Sequence, residues 1–525
     1  MKKTVFVSSI VASIIALGFP SFANESYNFV DLPKEHWATE AAYKLAELNV
    51  VKGIDENTFG LGQEINKGEF NNWINKVLYK DVEIKEVEDK TILTREEMAK
   101  IVIEKLGYSE LANIIKDNTN IFNDVNENYQ YIMMVNDMGI ITGSNNKFNP
   151  KNPVTKEQAV VVLSRIYERI NSSIKDLHGF YAIKSYEQKD MIKGFSSVGF
   201  GWSKLEQDKD GKIILNTSKA NNNIFSIPEG YSEPLNIAVD NKINSQLMVF
   251  LDNNELEEKI FFDESIRKDV INRIVNSLNN DATMTFSGVI IDFEGMKGEK
   301  LREGFNLFLS QLKDELIKNE KSLVVAVHPR TKPGTSYYDG YDFKHIGDVA
   351  DKIILMAHDY YPKKLTKEDQ DRGYTITPLT PINDIYYALK YITDKNTGVK
   401  DLDKILLQIS FDSVQWKLKD GKVLNDKPYS PAYDLIRKRL IEDSQVEKYY
   451  SYGNPYIKFK NLEDGTDNIV WYENERSIKE KINLSKIFGI KGVSLWRLGN
   501  IPDFQDPDIE LNIWNELLNM KGEGK

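Results

Sequence analysis

The 525-residue chain carries 68 Lys and Arg against 79 Asp and Glu, a formal net charge of −11 at pH 7. That balance argues against nucleic acid or an anionic membrane as a general partner. There is no cysteine, and the five histidines lack metal-ligand spacing, so neither a disulfide framework nor a structural zinc site is expected. The length suits two or three domains.

In chain order, Met1-Lys2-Lys3, the apolar run Val5 to Leu17 and the small-residue end Ser21-Phe22-Ala23 predict a secretory signal over 1–23. That apolar run is short for a membrane span and no later segment approaches one, so an exported, soluble or wall-held protein with no span is expected. Residues 24–172 carry a degenerate repeat. Phe29-Val30-Asp31-Leu32 and Phe122-Asn123-Asp124-Val125 open two similar stretches. Each continues into an apolar-periodic helix (Ala41 to Leu48, Tyr131 to Met138), turns at glycines (Gly53 and Gly60, Gly139 and Gly143) and closes in a second helix (Gly68 to Leu78, Lys156 to Ile170). Between them Leu93-Thr94-Arg95-Glu96-Glu97 starts a helix through Leu106, as a threonine cap followed by acidic residues does. Helix pairs of this length bury their apolar faces only against one another.

These motifs, Phe29-x-Asp31 with Trp37-Ala38, Phe122-x-Asp124 and Thr94-Arg95-Glu96-Glu97, resemble the surface-layer homology domain in about three copies. The resemblance implies an all-α domain that anchors an exported bacterial protein to secondary cell-wall polysaccharide. It assigns Asp31, Trp37 and Arg95 to wall binding, and an arginine can grip a carboxylate or pyruvyl group bidentately. Asn66-Lys67 and Thr155-Lys156 replace the Thr-Arg pair in the outer copies, and the middle copy lacks its first half.

After the polar stretch Asn171-Ser172-Ser173, strand-like runs alternate with helical patterns. Strands are predicted at 179–183, 197–202, 246–251, 286–293, 323–327, 353–357, 405–410 and 492–496, with helices such as 266–278, 302–318, 382–392 and 478–488 between them. Eight units suit a (β/α)8 barrel over 173–515, although a doubly wound sheet gives the same alternation. The segment 413–468 is too long for one connection and is expected to form a small inserted subdomain. The run Phe286 to Glu294 ends in two carboxylates two residues apart. Strand alternation turns Asp292 and Glu294 to one face, and Val289, Ile291 and Phe293 to the other. Acidic residues ending a buried strand suit a site at the C-terminal rim of a barrel, because they cost too much there as filler.

Together the motifs resemble glycoside hydrolase family 18, the chitinase-like (β/α)8 barrels, over about Asp176 to Phe504. The family's strand-four pattern Asp-Gly-x-Asp-x-Asp-x-Glu is met by Ser287 to Glu294, with Ile290 in place of the middle Asp. Its Met-x-Tyr-Asp is met by Met356-Ala357-His358-Asp359, with His358 for the Tyr. Trp471-Tyr472-Glu473 and Gly492-Val493-Ser494-Leu495-Trp496 resemble the segments around the last helix and strand eight. The resemblance implies retaining hydrolysis of β-linked N-acetylglucosamine glycan, most plausibly peptidoglycan and otherwise chitin-like oligomers, with the substrate's 2-acetamido carbonyl as nucleophile. Glu294 would be the acid and base, Asp292 the partner of the acetamido N–H, and Asp359 its positioning support. Trp496, His358 and Tyr360 would contact sugar, and Arg330 would reach a wall carboxylate. Aromatics of the rim loops, Tyr337, Tyr338, Tyr341 and Tyr361, could add sugar contacts. No metal or organic cofactor is implied. The rival readings are a non-catalytic, lectin-like barrel and a structural surface-layer protein; the retained Glu294 speaks for catalysis.

Overall fold

The structure is a computed structural model that describes residues 28–79, 89–115, 121–281, 284–331, 339–443 and 445–522. The secretory-signal segment, Tyr337 and Tyr338 lie outside these residues. Two compact units emerge: one drawn from residues up to Thr94 with Asn152–Ser164, the other from Arg95–Lys151 and Arg165 onward. Among the described residues no helix is long and apolar enough to cross a membrane.

In the first unit, helices Thr39–Glu47 and Lys67–Leu78 bury Ala42, Leu45, Phe70, Trp73 and Ile74. Asn66 caps the second helix, accepting from the Glu69 N–H at 2.8 Å, so the residue that departs from the Thr-Arg pattern still starts the helix. The Asp31 carboxylate accepts the N–H groups of Phe59, Gly60 and Leu61 at 2.7, 2.7 and 2.9 Å. In the second unit Asp124 does the same for Phe148 and Asn149 at 2.9 and 2.8 Å. The repeated Phe-x-Asp motif therefore folds its own turn in both copies. Also in the second unit, Asp137 of helix Tyr129–Asp137 accepts from the Tyr386 hydroxyl at 2.6 Å and pairs with Lys390 at 3.1 Å. Both partners lie on helix Ile382–Ile392.

The rest of the second unit is a closed parallel barrel. Its strands are β1 (Asp176–Tyr181), β2 (Ser197–Gln207), β3 (Asn244–Leu251), β4 (Gly288–Phe293), β5 (Ser322–Val327), β6 (Lys352–Leu355), β7 (Ile405–Ser410) and β8 (Gly492–Trp496). They pair in chain order, and β8 returns to β1 with Asp176 opposite Gly492. The doubly wound alternative is thereby excluded. Most strands differ from expectation at an end, β3 beginning two residues earlier and β4 two residues later than predicted. β1 begins three residues earlier and stops at Tyr181, because Ile183 and Lys184 turn left-handed at φ 34° and 57°. β2 runs on to Gln207 and hairpins antiparallel with Ile213–Asn216. β6 ends at Leu355, two residues short of the predicted end.

Alternation decides what fills the lumen. Phe180, Met248, Ile290, Val324, Ala326, Ile354, Met356 and Leu406 point in and form one cluster. Ile290 reaches across because β2 carries Gly199 there: a Cβ at that position would lie 2.4 Å from the Ile290 Cδ1. On the outer face Phe293 packs on Phe261, Phe305 and Phe308 of helices Asn254–Phe262 and Gly298–Lys318, with ring centroids 5.4–6.4 Å apart. Burying each such ring contributes ~1.5–3 kcal/mol. The strand-four backbone is thus held from both sides.

Between β7 and the last barrel helix, Glu475–Ile487, the chain builds an antiparallel five-stranded sheet. Its strands are Val414–Lys419, Lys422–Val423, Glu447–Ser451, Asn454–Lys460 and Asp467–Trp471. Trp416 and Trp471 form its core with Val414, Leu365 and Leu379. A fully buried ion pair fastens it to the barrel. Lys481 Nζ lies 2.7 and 2.5 Å from the two Glu473 oxygens, with both side chains inaccessible. Asn454 Nδ2 (2.8 Å), Ser477 Oγ (2.5 Å) and the Thr380 hydroxyl also donate to that carboxylate. Removing one partner of a buried pair costs about 3–5 kcal/mol, because the other charge stays uncompensated. Lys481→Met should therefore lower the urea midpoint at pH 7 far more than the double substitution Glu473→Gln/Lys481→Met. Equal losses in equilibrium unfolding would show that packing, not the pair, holds this joint.

Candidate active site

Two groups of side chains gather on the C-terminal rim of the barrel. The first belongs to β4 and β5. Asp292 follows Ile290 on the lumen face and is 5% exposed; its Oδ1 has no hydrogen-bond partner. Burial, and secondarily the charge of Glu294, pushes its carboxyl well above the ordinary 3.8. Glu294 stands one step further out, anchored by its backbone N–H on Leu251 O at 2.8 Å, with a third of its side chain accessible. His328, the next lumen-phase position after Val324 and Ala326, brings Nε2 to 3.4 Å from Glu294 Oε2. Behind them the buried Tyr341 donates its hydroxyl to Phe293 O. Tyr341 is thus a support for the strand end, not a rim aromatic. Arg330 donates to Tyr341 O at 2.8 Å and lies over the Phe343 ring at 4.9 Å, so its guanidinium braces this loop.

The second group belongs to β6, β7 and β8. His358 Nε2 lies 2.7 Å from Gln408 Oε1, and Gln408 Nε2 donates to Ser494 Oγ at 3.3 Å. Ser494 in turn meets His178 Nδ1 at 2.8 Å. Since a glutamine oxygen only accepts, His358 must donate from Nε2. The nitrogen left for other work is Nδ1, 3.7 Å from Asp359 Oδ1. Asp359 sits in a left-handed turn at φ 62°, with Lys363 Nζ 3.0 Å from its other oxygen. Burial opposes its charge, but His358 and Lys363 outweigh that and hold its carboxyl well below the usual carboxylate range. His358 shifts the other way: burial lowers it, Asp359 and Gln408 outweigh burial, and the net direction is up. Asp412, past the end of β7, is raised by burial and by Asp359. His178, fully buried, is pushed down to about 4 by burial and stays neutral.

Among the described residues no hydrogen bond or ion pair joins the two groups. Asp292 and Glu294 are brought together. Asp359 is paired with His358 and Lys363, and the one charged neighbour that shifts Asp292 is Glu294. Trp496 is half-buried against Phe180, ring centroids 5.1 Å apart, at the lip of the lumen cluster. Tyr360 lines a smaller cavity of about 260 Å³ with Tyr361, Tyr374 and Tyr452. In the repeats, Trp37 is 60% exposed. Asp31 is committed to its turn, and Arg95 donates to Phe148 O at 2.8 Å and Thr142 O at 3.2 Å. His328, Gln408, Lys363 and Asp412 were not among the sequence candidates. Alternation from Leu323–Val327 would have pointed to His328, and a glutamine inside Ile405–Ser410 to Gln408.

Comparison with known proteins decides the family. The model for glycosyl hydrolases family 18 matches residues 179–500, more than half of the chain. The chain belongs to glycosyl hydrolases family 18. The S-layer homology domain model matches residues 28–70 and 121–160 at its N-terminal side. Such domains associate bacterial proteins with the cell surface. The chain is 23% identical over 295 residues to the cortical fragment-lytic enzyme of Bacillus subtilis, covering 53% of this chain and 59% of that relative. Among solved structures it is similar to the C-terminal domain of a putative chitinase from Desulfitobacterium hafniense (TM-score 0.53, 21% identity, 67% of this chain and 100% of that one). It is also similar to the spore cortex-lytic enzyme SleL of Bacillus cereus (TM-score 0.50, 19% identity, 65% and 73%). These likenesses show the barrel fold.

The elevated Asp292 carboxyl has a thermodynamic consequence. The unfolded chain releases this proton near 3.8 and the folded chain only at higher pH, so this group erodes stability as pH rises above 3.8. Asp292→Asn removes the titration and should stabilise the barrel at pH 7 by roughly 1 kcal/mol, with little effect below pH 4. Thermal unfolding against pH checks this; a pH-independent difference would mean that Asp292 titrates normally.

Proposed function

We propose that this protein is a wall-held glycosidase that cuts β-linked N-acetylglucosamine glycan, peptidoglycan foremost, by substrate-assisted hydrolysis with retention. The observation that carries this reading is the pairing at the end of β4: a buried Asp292 whose Oδ1 has no hydrogen-bond partner, one step below an accessible Glu294, in a family 18 barrel. Glu294 gives its proton to the leaving glycosidic oxygen while the acetamido carbonyl oxygen closes on C1. Asp292 lies where the acetamido N–H and the positive ring that forms would sit, so its charge becomes favourable as the ring closes. Water then attacks C1, Glu294 takes its proton, and the acetamido group is released with the original configuration restored. Asp359, held by His358 and Lys363, shapes the wall of the acetamido site. With Nε2 spent on Gln408, His358 acts through Nδ1 and Asp359; it does not donate from Nε2 as a tyrosine hydroxyl would.

Glu294→Gln keeps size and hydrogen bonding but removes the transferable proton, and should lower kcat by about 10²–10⁴-fold while glycan binding persists. The wild-type protein should leave a de-N-acetylated glycan uncut, since it offers no internal nucleophile. Mass analysis of released ends reads both experiments, and full activity of Glu294→Gln would overturn the assignment. Normal turnover of the de-acetylated glycan would instead point to a second carboxylate across the bond.

For the repeats we infer binding to secondary cell-wall polysaccharide, with exposed Trp37 as the contact and Asp31 and Arg95 holding the surfaces around their turns. In pelleting of the full chain with purified cell walls, Trp37→Ala should weaken binding about tenfold, equivalent to ~1.4 kcal/mol, without moving the melting temperature. Asp31→Ala should lower the melting temperature. Pelleting of Trp37→Ala equal to wild type would remove Trp37 from the contact.

A further inference from the structure

A cavity of about 680 Å³ opens where β1 ends, beside Trp202 of β2, bounded by the turn after β1 and the loop after Ile213–Asn216. Lys184, Tyr186, Lys219, Asn222, Ile224 and Glu229 line its mouth. Both walls are rigid. Ile183 is β-branched yet left-handed at φ 34°, a conformation that needs outside support. The support is present: Arg497 donates to the carbonyls of Ala182 and Ile183, and Ser185 Oγ donates to Leu498 O at 2.6 Å. Lys184 is therefore presented from a clamped turn. On the other wall the buried Asn223 shares its amide hydrogens among Asn216 O, Ser218 O and Phe225 O at 3.0–3.1 Å, and accepts from Phe225 N at 2.9 Å. Phe225 then plugs into the lumen cluster beside Phe250, with centroids 4.9 Å apart. Ile183 and Trp496 pack against that same cluster, so the cavity lies on the Trp496 side of the site.

The charge in this cavity runs against the rest of the chain. Among the described residues neither Lys184 nor Lys219 has an ion-pair or hydrogen-bond partner, and Glu229 is the one acid in the lining. The neighbouring Glu233 is already engaged by the Tyr186 hydroxyl at 2.6 Å and by Lys189 at 3.7 Å. In a chain of net charge −11, two unpaired lysines on strained, braced loops beside a sugar site suit an acidic ligand. A glycan of N-acetylglucosamine alone is neutral and gives them nothing to hold.

We propose that this cavity takes a muramyl residue, an amino sugar bearing a carboxylate, and that Lys184 and Lys219 select acidic over neutral amino-sugar glycan. The proposal rests on the glycosidase reading above and names its substrate class. The carboxylate is either the lactyl ether's own or that of a peptide stem attached to it. Full-length wild type, Lys184→Ala/Lys219→Ala and Lys184→Arg/Lys219→Arg are compared on intact peptidoglycan strands, on strands freed of stems by an amidase, and on chito-oligomers. The alanine pair should lose about tenfold in kcat/KM on muramyl strands and stay within about twofold on chito-oligomers, and the arginine pair should recover the difference. Wild-type preference should shrink as salt is raised. A loss on stem-free strands assigns the lactyl carboxylate; a loss on intact strands alone assigns the stem. Equal losses on muramyl and neutral glycans, or an unchanged ratio, would overturn the proposal. If wild type cuts none of these, the glycosidase reading fails, and calorimetric binding of stem-free strands to the same three proteins still decides the role of the lysines: equal affinity in all three overturns it.

Discussion

Barrel closure is the constraint from which the rest follows. Once β8 pairs with β1 there is no open edge, and every second side chain of eight strands must find a place in one narrow lumen. Apolar residues occupy the middle. Polar residues admitted there must satisfy one another, and they do so as a string from His178 through Ser494 and Gln408 to His358. His178, Ser494 and Gln408 sit on three neighbouring strands and His358 on the loop after β6, so the string also fixes their relative heights. What the lumen leaves unsatisfied is confined to few atoms, Asp292 Oδ1 and His178 Nε2 among them. Asp292 is a buried carboxyl at the rim, whereas the neutral His178 belongs to the hydrogen-bonded string.

The division of the rim into two clusters explains how one chain can hold carboxylates in opposite states. Asp292 is raised by burial against a like charge, whereas Asp359 is lowered by a histidine and a lysine. The two aspartates are chemically identical and differ only in what surrounds them. Replacing a tyrosine hydroxyl by His358 changes the local logic further. The ring needs an acceptor at Nε2, and Gln408 supplies it from the next strand. Imidazole and amide thus act here as one hydrogen-bonded unit.

Much of this was legible in the residues. The alternation of Phe286 to Glu294 placed Ile290 and Asp292 in the lumen and Phe293 outside, and β7 and β8 fall where their apolar runs are. The same rule applied to Leu323–Val327 points to His328, but a single histidine after a strand carries no pattern of its own. Gln408 could be seen as anomalous but not as His358's partner, because strand neighbours are set by closure, which sequence does not print. Asp31 illustrates a different gap. Resemblance marks it for ligand contact, whereas its carboxylate is filled by three backbone N–H groups, a local demand met by residues nearly thirty positions away. The extension of β2 into a hairpin was hidden because Glu206 and Lys204, paired at 3.2 Å, look like solvated loop residues.

The contact between Gly199 and Ile290 has a consequence for how such a barrel can change. The space that the isoleucine occupies exists only because the facing strand has no side chain at that height. An aspartate at position 290 would be shorter than isoleucine, would leave a void against Gly199, and would set a second carboxyl beneath Asp292. A larger residue at 199 would have to displace the Ile290 methyl and would also press on the Phe180 ring, 3.1 Å from the same point. The two positions are interlocked, and single substitutions at either meet a barrier that only a joint change avoids. In packing terms the lumen couples these two heights, so that volume removed from one strand has to be made up on another.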